Sequence, residues 1–229
     1  MTEVLVAAVS RGGVNKVRDT ITIDPLDVGR KVTSATRAIV PVHLFGQACD
    51  MESLWKVACD HDLPIIEDAA QAIGARYKGK PAGSLGDYGC YSFYPTKNLG
   101  GYGDGGMMTT NDGDLAIKLR QLAAHGMNPR YYHGAVGINS RLDTIQAAVL
   151  RVRLKYVDAI LGSLAKIHDL YDHGLRELEQ IMLPPQLPDI TRGFTHYTIR
   201  LEKRDALRDY LAQNGINAGV YYPLSIHLQ

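Results

Sequence analysis

The alternation of strand-like and helix-like segments between residues 38 and 68 restricts the fold more than any other feature of the sequence. The run AIVPVHLFG is apolar, rich in β-branched residues, and ends in a glycine. Asp50 is a predicted N-cap for the next segment, MESLWKVACDHD, whose apolar residues share one helical face. The short run LPIIED follows and ends in Glu67 and Asp68. A strand, a helix and a strand in this order predict a right-handed crossover in a largely parallel sheet, where ligands bind at the carboxyl ends of strands.

The rest of the chain continues this α/β pattern. YGCYSFYP and MMTTND are predicted strands, and DLAIKLRQLAAHG is a predicted helix that ends at Gly126. A second helical pattern runs from Leu142 to Leu178, with Gly162 and Gly174 as its weak points. The proline-rich LPPQLPDI ends that pattern and is predicted to be a linker. Beyond it, HYTIRL, ALRDYLAQNGI and NAGVYYP predict a further strand, helix and strand.

Charge and cysteine usage argue against several classes of protein. The 25 Lys and Arg residues nearly balance the 24 Asp and Glu residues, which leaves a net charge of +1 and no basic stripe for a nucleic-acid partner. The 3 cysteines are odd in number and lack C-x-x-C spacing, so they indicate neither a disulfide framework nor a zinc site. No apolar run approaches the roughly 20 residues of a membrane helix, and the start MTEVLVAAVSRGG is a poor secretory signal. We therefore expect a cytoplasmic protein without a bound metal.

The segment SFYPTKNLGGYGDGG combines one lysine with a dense group of glycines. Gly101, Gly103 and Gly106 satisfy G-x-G-x-x-G, the fingerprint of dinucleotide-binding proteins. That fingerprint requires a helix after the glycines, whereas MMTT, a β-type run, follows here. We therefore predict a turn between two strands and disfavour a dinucleotide-binding oxidoreductase.

Lys97, within this segment, is the candidate nucleophile. A lysine held in a partly desolvated pocket loses proton affinity and can form a Schiff base with a carbonyl cofactor. Pyridoxal phosphate is such a cofactor, and it also needs an acid at its pyridinium nitrogen. Asp68 is placed upstream, at the end of a neighbouring predicted strand. The two residues alone leave the choice open, since a strand-end Asp is commonly a cap and a Lys among glycines is commonly a solvated surface residue.

Several motifs in a fixed order resemble one family. EDAAQAIGARYKGKPAGSLGDYGCYSFYPTKNLGGYGDGGMMTTND, with PVHLFG before it and GINSRLDTIQAAV after it, is similar to the DegT/StrS family of sugar-nucleotide aminotransferases. The similarity covers roughly residues 19–229. It implies a pyridoxal-phosphate-dependent aminotransferase of fold type I, an α/β fold whose mostly parallel sheet is flanked by helices. It also implies a partial cofactor-binding major domain over residues 1–150, then a connecting helix and an incomplete small α+β domain over residues 151–229.

The resemblance also implies roles for individual residues. Lys97 would carry the cofactor and move the proton, Asp68 would pair with the pyridinium nitrogen, and Gln71 would lie against the ring near its phenolic oxygen. Ser92 would bind the cofactor phosphate. Asn139 would reach the phosphate of the partner subunit's cofactor, which makes a homodimer part of the site. As structural alternatives, Gln71 can be a surface residue at a helix start, Ser92 a hydroxyl bonded to nearby backbone, and Asn139 a helix N-cap.

The implied reaction is the amination of a keto sugar carried on a nucleoside diphosphate. Glutamate is the amino donor that the resemblance favours, and the wording YPTKNLGGYGDGG favours 3-keto over 4-keto sugars. Tyr94 and Tyr222 are candidates for the sugar pocket, with packing in the core or at the rim as the alternative for both. The presence of Lys97 argues against a related dehydratase in which this lysine is replaced.

Three differences from the family pattern indicate a truncated chain. The family has a longer N-terminal portion with a phosphate-binding loop and an aromatic residue that stacks on the cofactor, and residues 1–18 do not resemble it. The chain stops at HLQ, inside the expected small domain, and GFTHYTIR is shorter than the family's usual segment. Two interpretations stay open. One is a fragment of an active aminotransferase, and the other is a catalytically inactive remnant with bare apolar faces and poor solubility.

Overall fold

A computed structural model describes residues 3–6 and 20–224 of the chain. It contains both strands and helices, as the sequence predicts for an α/β protein. The strands are β1 (Glu3–Val6), β2 (Thr36–Val40), β3 (Ile66–Asp68), β4 (Arg76–Tyr77), β5 (Lys80–Pro81), β6 (Tyr88–Ser92), β7 (Gly106–Thr109) and β8 (Ile190–Thr191). The helices are α1 (Pro25–Lys31), α2 (Met51–Asp60), α3 (Gly113–Ala123), α4 (Thr144–Leu154), α5 (Val157–Leu175) and α6 (Arg204–Gln213).

The strands that carry the candidate site lie side by side in a mainly parallel arrangement. β1 pairs in parallel with β2, and β3 pairs in parallel with β6. Two parallel bridges, Ile39 with Ile65 and Val42 with Asp68, bring β2 alongside β3. β7 is antiparallel to β6, and the glycine-rich segment between them is the predicted turn. The predicted α/β fold class is therefore confirmed, and the carboxyl ends of β2, β3 and β6 lie at one edge.

Helix α2 packs the core behind this edge. Its N-cap is Asp50, as predicted, and the Asp50 side chain accepts a hydrogen bond from the Ser53 N–H at 3.2 Å. The buried face of the helix faces the isoleucines of β2 and of the segment before β3. The buried cluster comprises Ile23, Val28, Ile39, Cys49, Met51, Leu54, Ala58 and Ile65.

The strand predicted over residues 38–46 is wrong in its second half. β2 ends at Val40, and a tight 3-10 turn (Leu44–Gly46) follows it. Phe45 and Gly46 in this turn have φ of 57° and 80°, in the left-handed region. Apolar composition alone predicts burial at these positions, and they are buried, but it does not reveal a reversal of the chain direction.

The single long helix predicted from Leu142 to Leu178 is two helices. α4 ends at Leu154 and α5 begins at Val157, whereas Gly162 and Gly174 both lie inside α5. The break has a packing reason. Leu150 and Val157, on either side of it, belong to one buried cluster with Phe93 and Leu99. The last two residues lie in the loop after β6 that carries Lys97, called the lysine loop below. The predicted C-cap Gly126 also lies beyond its helix, since α3 ends at Ala123.

The C-terminal part departs furthest from the prediction. The predicted helix is present as α6, but HYTIRL and NAGVYYP form no strand in the described part of the chain. Arg200 instead makes an isolated bridge with Met182, and residues 192–197 run across the turn at residues 44–46. Among the described residues, no helix is both long and apolar enough to cross a membrane.

His168 on α5 helps to hold residues 192–197 in place. The imidazole is 4% exposed and makes edge-to-face contacts with the rings of Phe194 and Tyr197. Its Nδ1 is buried without a hydrogen-bond partner within residues 20–224. Burial, and next the positive charge of Arg192, lower the pKa of His168 to about 4. The ring is therefore neutral in the folded chain near neutral pH.

Acid should weaken the fold through His168. The pKa of the folded state lies below the ordinary value of 6.5, so the stability that depends on a neutral ring is complete above pH 6.5 and is lost as the pH falls towards 4. From about pH 7 to about pH 5 we expect the free energy of unfolding of the unchanged chain to fall by about 2 kcal/mol more than that of His168→Phe. Urea denaturation at both pH values measures this difference, with His61→Gln as an exposed control. Equal losses in the chain and in His168→Phe would contradict the prediction.

Candidate active site

Glu67, the first of the two acids at the end of β3, is fully buried and fully hydrogen-bonded. One oxygen accepts N–H bonds from Leu85 and Gly86, both at 2.6 Å. The other accepts the Gly83 N–H at 2.7 Å and a bond from Nε2 of His43 at 2.8 Å. Both side chains of the His43–Glu67 pair are 0% exposed. A buried carboxylate is tolerated in a protein when its lone pairs are satisfied in this way.

Asp68, the second acid, lies at the carboxyl end of β3 on the opposite face from Glu67. Its main chain is held on both sides, since Asp68 N donates to Pro41 O at 2.9 Å and His43 N donates to Asp68 O at 3.0 Å. One carboxylate oxygen accepts the Ala70 N–H at 3.0 Å. Cys90 is its partner on β6, and burial together with the charges of Asp68 and Glu67 raises the pKa of the Cys90 thiol. Asp68 is therefore a half-buried carboxylate at the sheet edge.

Gln71 lies in the turn after β3 and not at the start of a helix. Its amide oxygen accepts the Phe45 N–H at 2.7 Å, and its amide nitrogen donates to the Tyr222 hydroxyl at 3.1 Å. The surface alternative for Gln71 is thus wrong, because the side chain bonds to two distant segments. Tyr222 is 46% exposed, so its ring forms part of the rim.

Lys97 follows β6 in a compact loop. Lys97 N donates to Tyr94 O at 2.9 Å, and Gly101 N closes the loop by donating to Phe93 O at 2.7 Å. Within residues 20–224, no side chain makes a hydrogen bond or an ion pair with the Lys97 amine. Tyr94 is 51% exposed, and its ring lies outside the core. The loop therefore presents a half-buried amine beside the sheet edge.

Residues 192–197 connect the lysine loop to the β3 turn, largely through main-chain atoms. Asn98 Nδ2 donates to Gly193 O at 2.6 Å, and Gly193 N donates to Gly46 O at 2.9 Å. Thr195 Oγ1 donates to the carbonyl oxygen of Gln71 at 2.6 Å. This crossing segment thus contacts the loop that carries Lys97, the turn at residues 44–46 and the turn after β3.

His196, also in the crossing segment, brings Lys97 and the turn at residues 44–46 together. Its ring lies 5.7 Å from the Phe45 ring and 4.9 Å from the Tyr221 ring, between centroids. Burial, and then the positive charge of Lys97, lower the pKa of His196. Nδ1 of His196 is buried and has no partner among the described residues. A neutral imidazole with an unused polar atom therefore stands close to the lysine.

The side chains of Ser92 and Asn139 make only local hydrogen bonds in the described part of the chain, unlike that of Gln71. Ser92 ends β6 and its Oγ accepts the Tyr94 N–H at 3.2 Å, which is the ordinary structural alternative predicted for it. Asn139 is exposed, accepts a bond from Arg141 Nε at 2.8 Å, and lies four residues before Asp143, the N-cap of α4. The helix-cap alternative for Asn139 is therefore wrong. Neither result tests whether these side chains bind a phosphate.

Asn139 also lines a cavity to which Lys97 does not contribute. An open cavity of about 750 Å³ separates the β6–β7 hairpin from residues 139–144. Cys90, the strand neighbour of Asp68, lines this cavity, but Lys97, Asp68 and Gln71 do not. The structure therefore brings Gln71 and Tyr222 into direct contact and places Lys97 near them through His196, while Asn139 stays apart.

The arrangement suits a carbonyl cofactor better than a metal. Within the described ranges, no group of three or more His, Cys, Asp or Glu side chains is placed to hold a metal ion. An unpaired amine, a strand-end carboxylate and an unpartnered imidazole nitrogen instead supply one nucleophile, one anion and one hydrogen-bonding atom. The amine and the carboxylate are groups that pyridoxal phosphate requires, so the residues present fit that cofactor.

Sequence patterns alone assigned no role in the site to His43, Glu67 or His196. His43 and Glu67 meet over 24 positions of the chain, and no local pattern connects them. The available signal was a single histidine inside the apolar run PVHLFG, which a buried strand would not accept without a polar partner. His196 gave no such signal, because its segment was predicted to be a strand.

Comparison with known proteins gives one consistent family. The model of the DegT/DnrJ/EryC1/StrS aminotransferase family matches residues 13–229. A pleiotropic regulatory protein of Geobacillus stearothermophilus is 49% identical over 212 residues, which cover 92% of this chain and 57% of that protein. A dTDP-3-amino-3,4,6-trideoxy-alpha-D-glucose transaminase of Streptomyces venezuelae is 44% identical, with 96% of this chain and 60% of that protein covered.

A solved structure agrees with these relatives. The crystal structure of DesV from S. venezuelae, in complex with a ketimine intermediate, superposes with a TM-score of 0.91 at 45% identity. The superposition covers 94% of this chain and 58% of that one. The chain therefore spans less than two thirds of the length of these relatives.

The contact between Gly46 and Gly193 should be the least tolerant point of the crossing segment. A Cβ at Gly46 would lie 2.9 Å from Gly193 Cα, and the φ of 80° is itself unfavourable for alanine. Gly79 has a similar φ of 77°, but a Cβ there would meet no atom within 4 Å, so Gly79→Ala isolates the backbone effect. We expect Gly46→Ala to lower the free energy of unfolding by about 1–3 kcal/mol more than Gly79→Ala, measured by urea denaturation. Equal losses would show that residues 192–197 do not press on this turn.

Proposed function

The chain belongs to the DegT/DnrJ/EryC1/StrS aminotransferase family, and on that premise we propose that it takes part in pyridoxal-phosphate-dependent transamination of a nucleotide-linked keto sugar. One observation carries this proposal. The Lys97 amine has no hydrogen-bond or ion-pair partner among residues 20–224, and it stands beside His196 at the sheet edge where Asp68 and Gln71 also lie. An unpaired amine and a strand-end carboxylate at one sheet edge are the minimal requirement of this chemistry.

Each residue near the edge has a task in this proposal. When bound, the cofactor supplies a carbonyl group and an electron-withdrawing ring. Lys97 would bind the cofactor at that carbonyl group, Asp68 would balance the positive charge on the ring nitrogen, and Gln71 would lie against the ring. Ser92 and, from the partner subunit, an Asn139 are the proposed phosphate-binding groups. The Lys97 amine would accept the proton from the α-carbon of the donor amino acid and return it to the cofactor side.

His196 shapes the surroundings of the Lys97 amine. Burial, and then the positive charge of Lys97, lower the pKa of His196, so this ring is neutral near neutral pH and adds no positive charge beside the amine. The neutral ring also limits the entry of water on that side, because it packs between Phe45 and Tyr221. A lysine shielded from water on one side is suited to the proton transfer of the proposed reaction.

We propose the two substrates by their chemical class. Glutamate is the proposed donor, and a 3-keto sugar on a nucleoside diphosphate is the proposed acceptor. The name of the S. venezuelae transaminase, which specifies a 3-amino sugar, supports the position of the keto group. Tyr222 and Tyr94 are the proposed contacts to the sugar, since both rings are about half exposed near the lysine loop. The division of the chain near residue 150 and the cytoplasmic setting remain predictions.

Cofactor binding can be tested with pyridoxal phosphate alone. We expect a visible absorption band when it is added, and borohydride should then fix the cofactor covalently to Lys97, as peptide mass spectrometry would show. Lys97→Ala should abolish the band, whereas Lys118→Ala on the exposed face of α3 should keep it. Asp68→Asn should weaken binding about tenfold, because a charge-assisted hydrogen bond is lost. If the unchanged chain gives no band, the inactive-remnant interpretation holds.

The proposed homodimer can be tested by mixing two inactive variants. Lys97→Ala and Asn139→Ala disable different groups, and a site shared between subunits takes Lys97 from one chain and Asn139 from the other. Random reassociation should therefore restore roughly one quarter of the sites. The bleaching of the visible band by glutamate measures the restored fraction. Mixtures that stay inactive would argue against a shared site, and mixing Lys97→Ala with itself is the control.

A further inference from the structure

His43 holds two consecutive residues of β3 by two different means. Its main-chain N–H donates to the carbonyl oxygen of Asp68 at 3.0 Å, while its Nε2 lies 2.8 Å from the carboxylate of Glu67. Because Glu67 and Asp68 share a peptide bond, these two contacts close a small ring around that bond. The ring is wholly buried on the side of Glu67. A β-strand held in this way cannot rotate about its own axis without breaking one of the contacts.

The imidazole is itself fixed by its second nitrogen. The Cys49 N–H donates to Nδ1 at 3.1 Å, so Nδ1 carries no proton in this arrangement and Nε2 donates to Glu67. Burial disfavours a charge on His43, whereas Cys49 and then the carboxylate of Glu67 raise the pKa of the ring. Because the Cys49 N–H occupies Nδ1, a second ring proton would have no acceptor there, and the geometry assigns the neutral ring. The same turn also holds Gln71 through the Phe45 N–H. The turn that begins at His43 therefore makes three hydrogen bonds to β3 and the segment after it, to Glu67, Asp68 and Gln71.

The His43 contacts matter for the register of β3, because its two acidic residues are chemically alike. Glu67 and Asp68 are neighbours in the sequence, and adjacent side chains of a strand point to opposite faces. A slip of the pairing by one residue would exchange the two faces and put the wrong carboxylate beside Cys90. Glu67 prevents this slip, since only its longer side chain reaches the N–H groups of Gly83, Leu85 and Gly86.

We propose that His43 is a positioning residue for Asp68: by holding Glu67 with its ring and Asp68 with its main chain, it sets the direction in which the Asp68 carboxylate leaves the sheet edge. This inference rests on the proposed function, in which Asp68 balances the charge of the cofactor ring. It assigns to a residue outside the cofactor-binding set an effect on cofactor affinity. A group that binds a ligand strongly must be held in place by its neighbours.

Two polar substitutions of His43 separate positioning from packing. Gln reaches as far as Nε2 of histidine, so His43→Gln keeps the donor to Glu67. Asn reaches only as far as Nδ1, so His43→Asn keeps a polar side chain of similar kind but loses that donor. Leu54→Ala, in the buried face of α2, is the control for a general loss of stability, since Leu54 is 0% exposed and belongs to the core cluster.

Two measurements on the full chain decide the question. Titration with pyridoxal phosphate, followed by visible absorption, should give a Kd about tenfold weaker for His43→Asn and within about threefold of the unchanged chain for His43→Gln. Amide hydrogen exchange without cofactor should be faster at residues 68–71 in His43→Asn alone. Leu54→Ala should lower the melting temperature but leave the Kd unchanged.

Particular outcomes would overturn the inference. If His43→Asn and His43→Gln bind the cofactor equally well, or if Leu54→Ala weakens binding as much as His43→Asn does, His43 is a packing residue only. Equal exchange rates at residues 68–71 in both His43 variants would have the same meaning. If the unchanged chain binds no pyridoxal phosphate, the proposed function fails, whereas a difference in exchange between the two variants would still support the grip on β3.

Discussion

Four N–H groups converge on the carboxylate of Glu67, and the geometry of the candidate site depends on this convergence. Three come from the turn at residues 83–86 and one from the ring of His43. An ionised carboxylate in the protein interior is strongly unfavourable without such partners, and the loss of any partner exposes that cost. The arrangement therefore tolerates little movement. It fixes the ends of β2 and β3 and the turn that precedes β6, and Asp68 is the next residue along the chain.

The other half of the site is assembled in a different way. Residues 192–197 lie across the sheet edge through the main-chain groups of Gly193 and the hydroxyl of Thr195. Main-chain contacts place few demands on side-chain identity, so this part can vary in sequence while it keeps its path. Phe194 and His196 are the exceptions, because their rings pack against His168 on one side and Phe45 on the other. The candidate site thus combines a rigid polar support with a more adaptable cover.

The sequence was sufficient for the elements whose signals are local. Helix α2 has its N-cap and its apolar face within one short segment, and β3 and β6 lie within the predicted strand segments LPIIED and YGCYSFYP. The break between α4 and α5 could not be predicted, because it depends on Leu150 and Val157 packing against a loop about fifty residues earlier. Lys97, Asp68 and Gln71 were predicted as site residues through motifs. His43 and His196 were not predicted, because each lies near the site only through contacts with residues that are distant in sequence.

The crossing segment also has a consequence for the time course of folding. Its contacts with Asn98 and Gln71 join residues that are 95 and 124 positions apart, and the bond between Gln71 and Tyr222 spans 151. Contacts of such long range slow folding, since a large loop must close before they form. During synthesis the sheet around Glu67 can assemble while the lysine loop is still uncovered. A nascent chain would therefore leave the Lys97 amine open to free carbonyl compounds until residues 192–197 have left the ribosome.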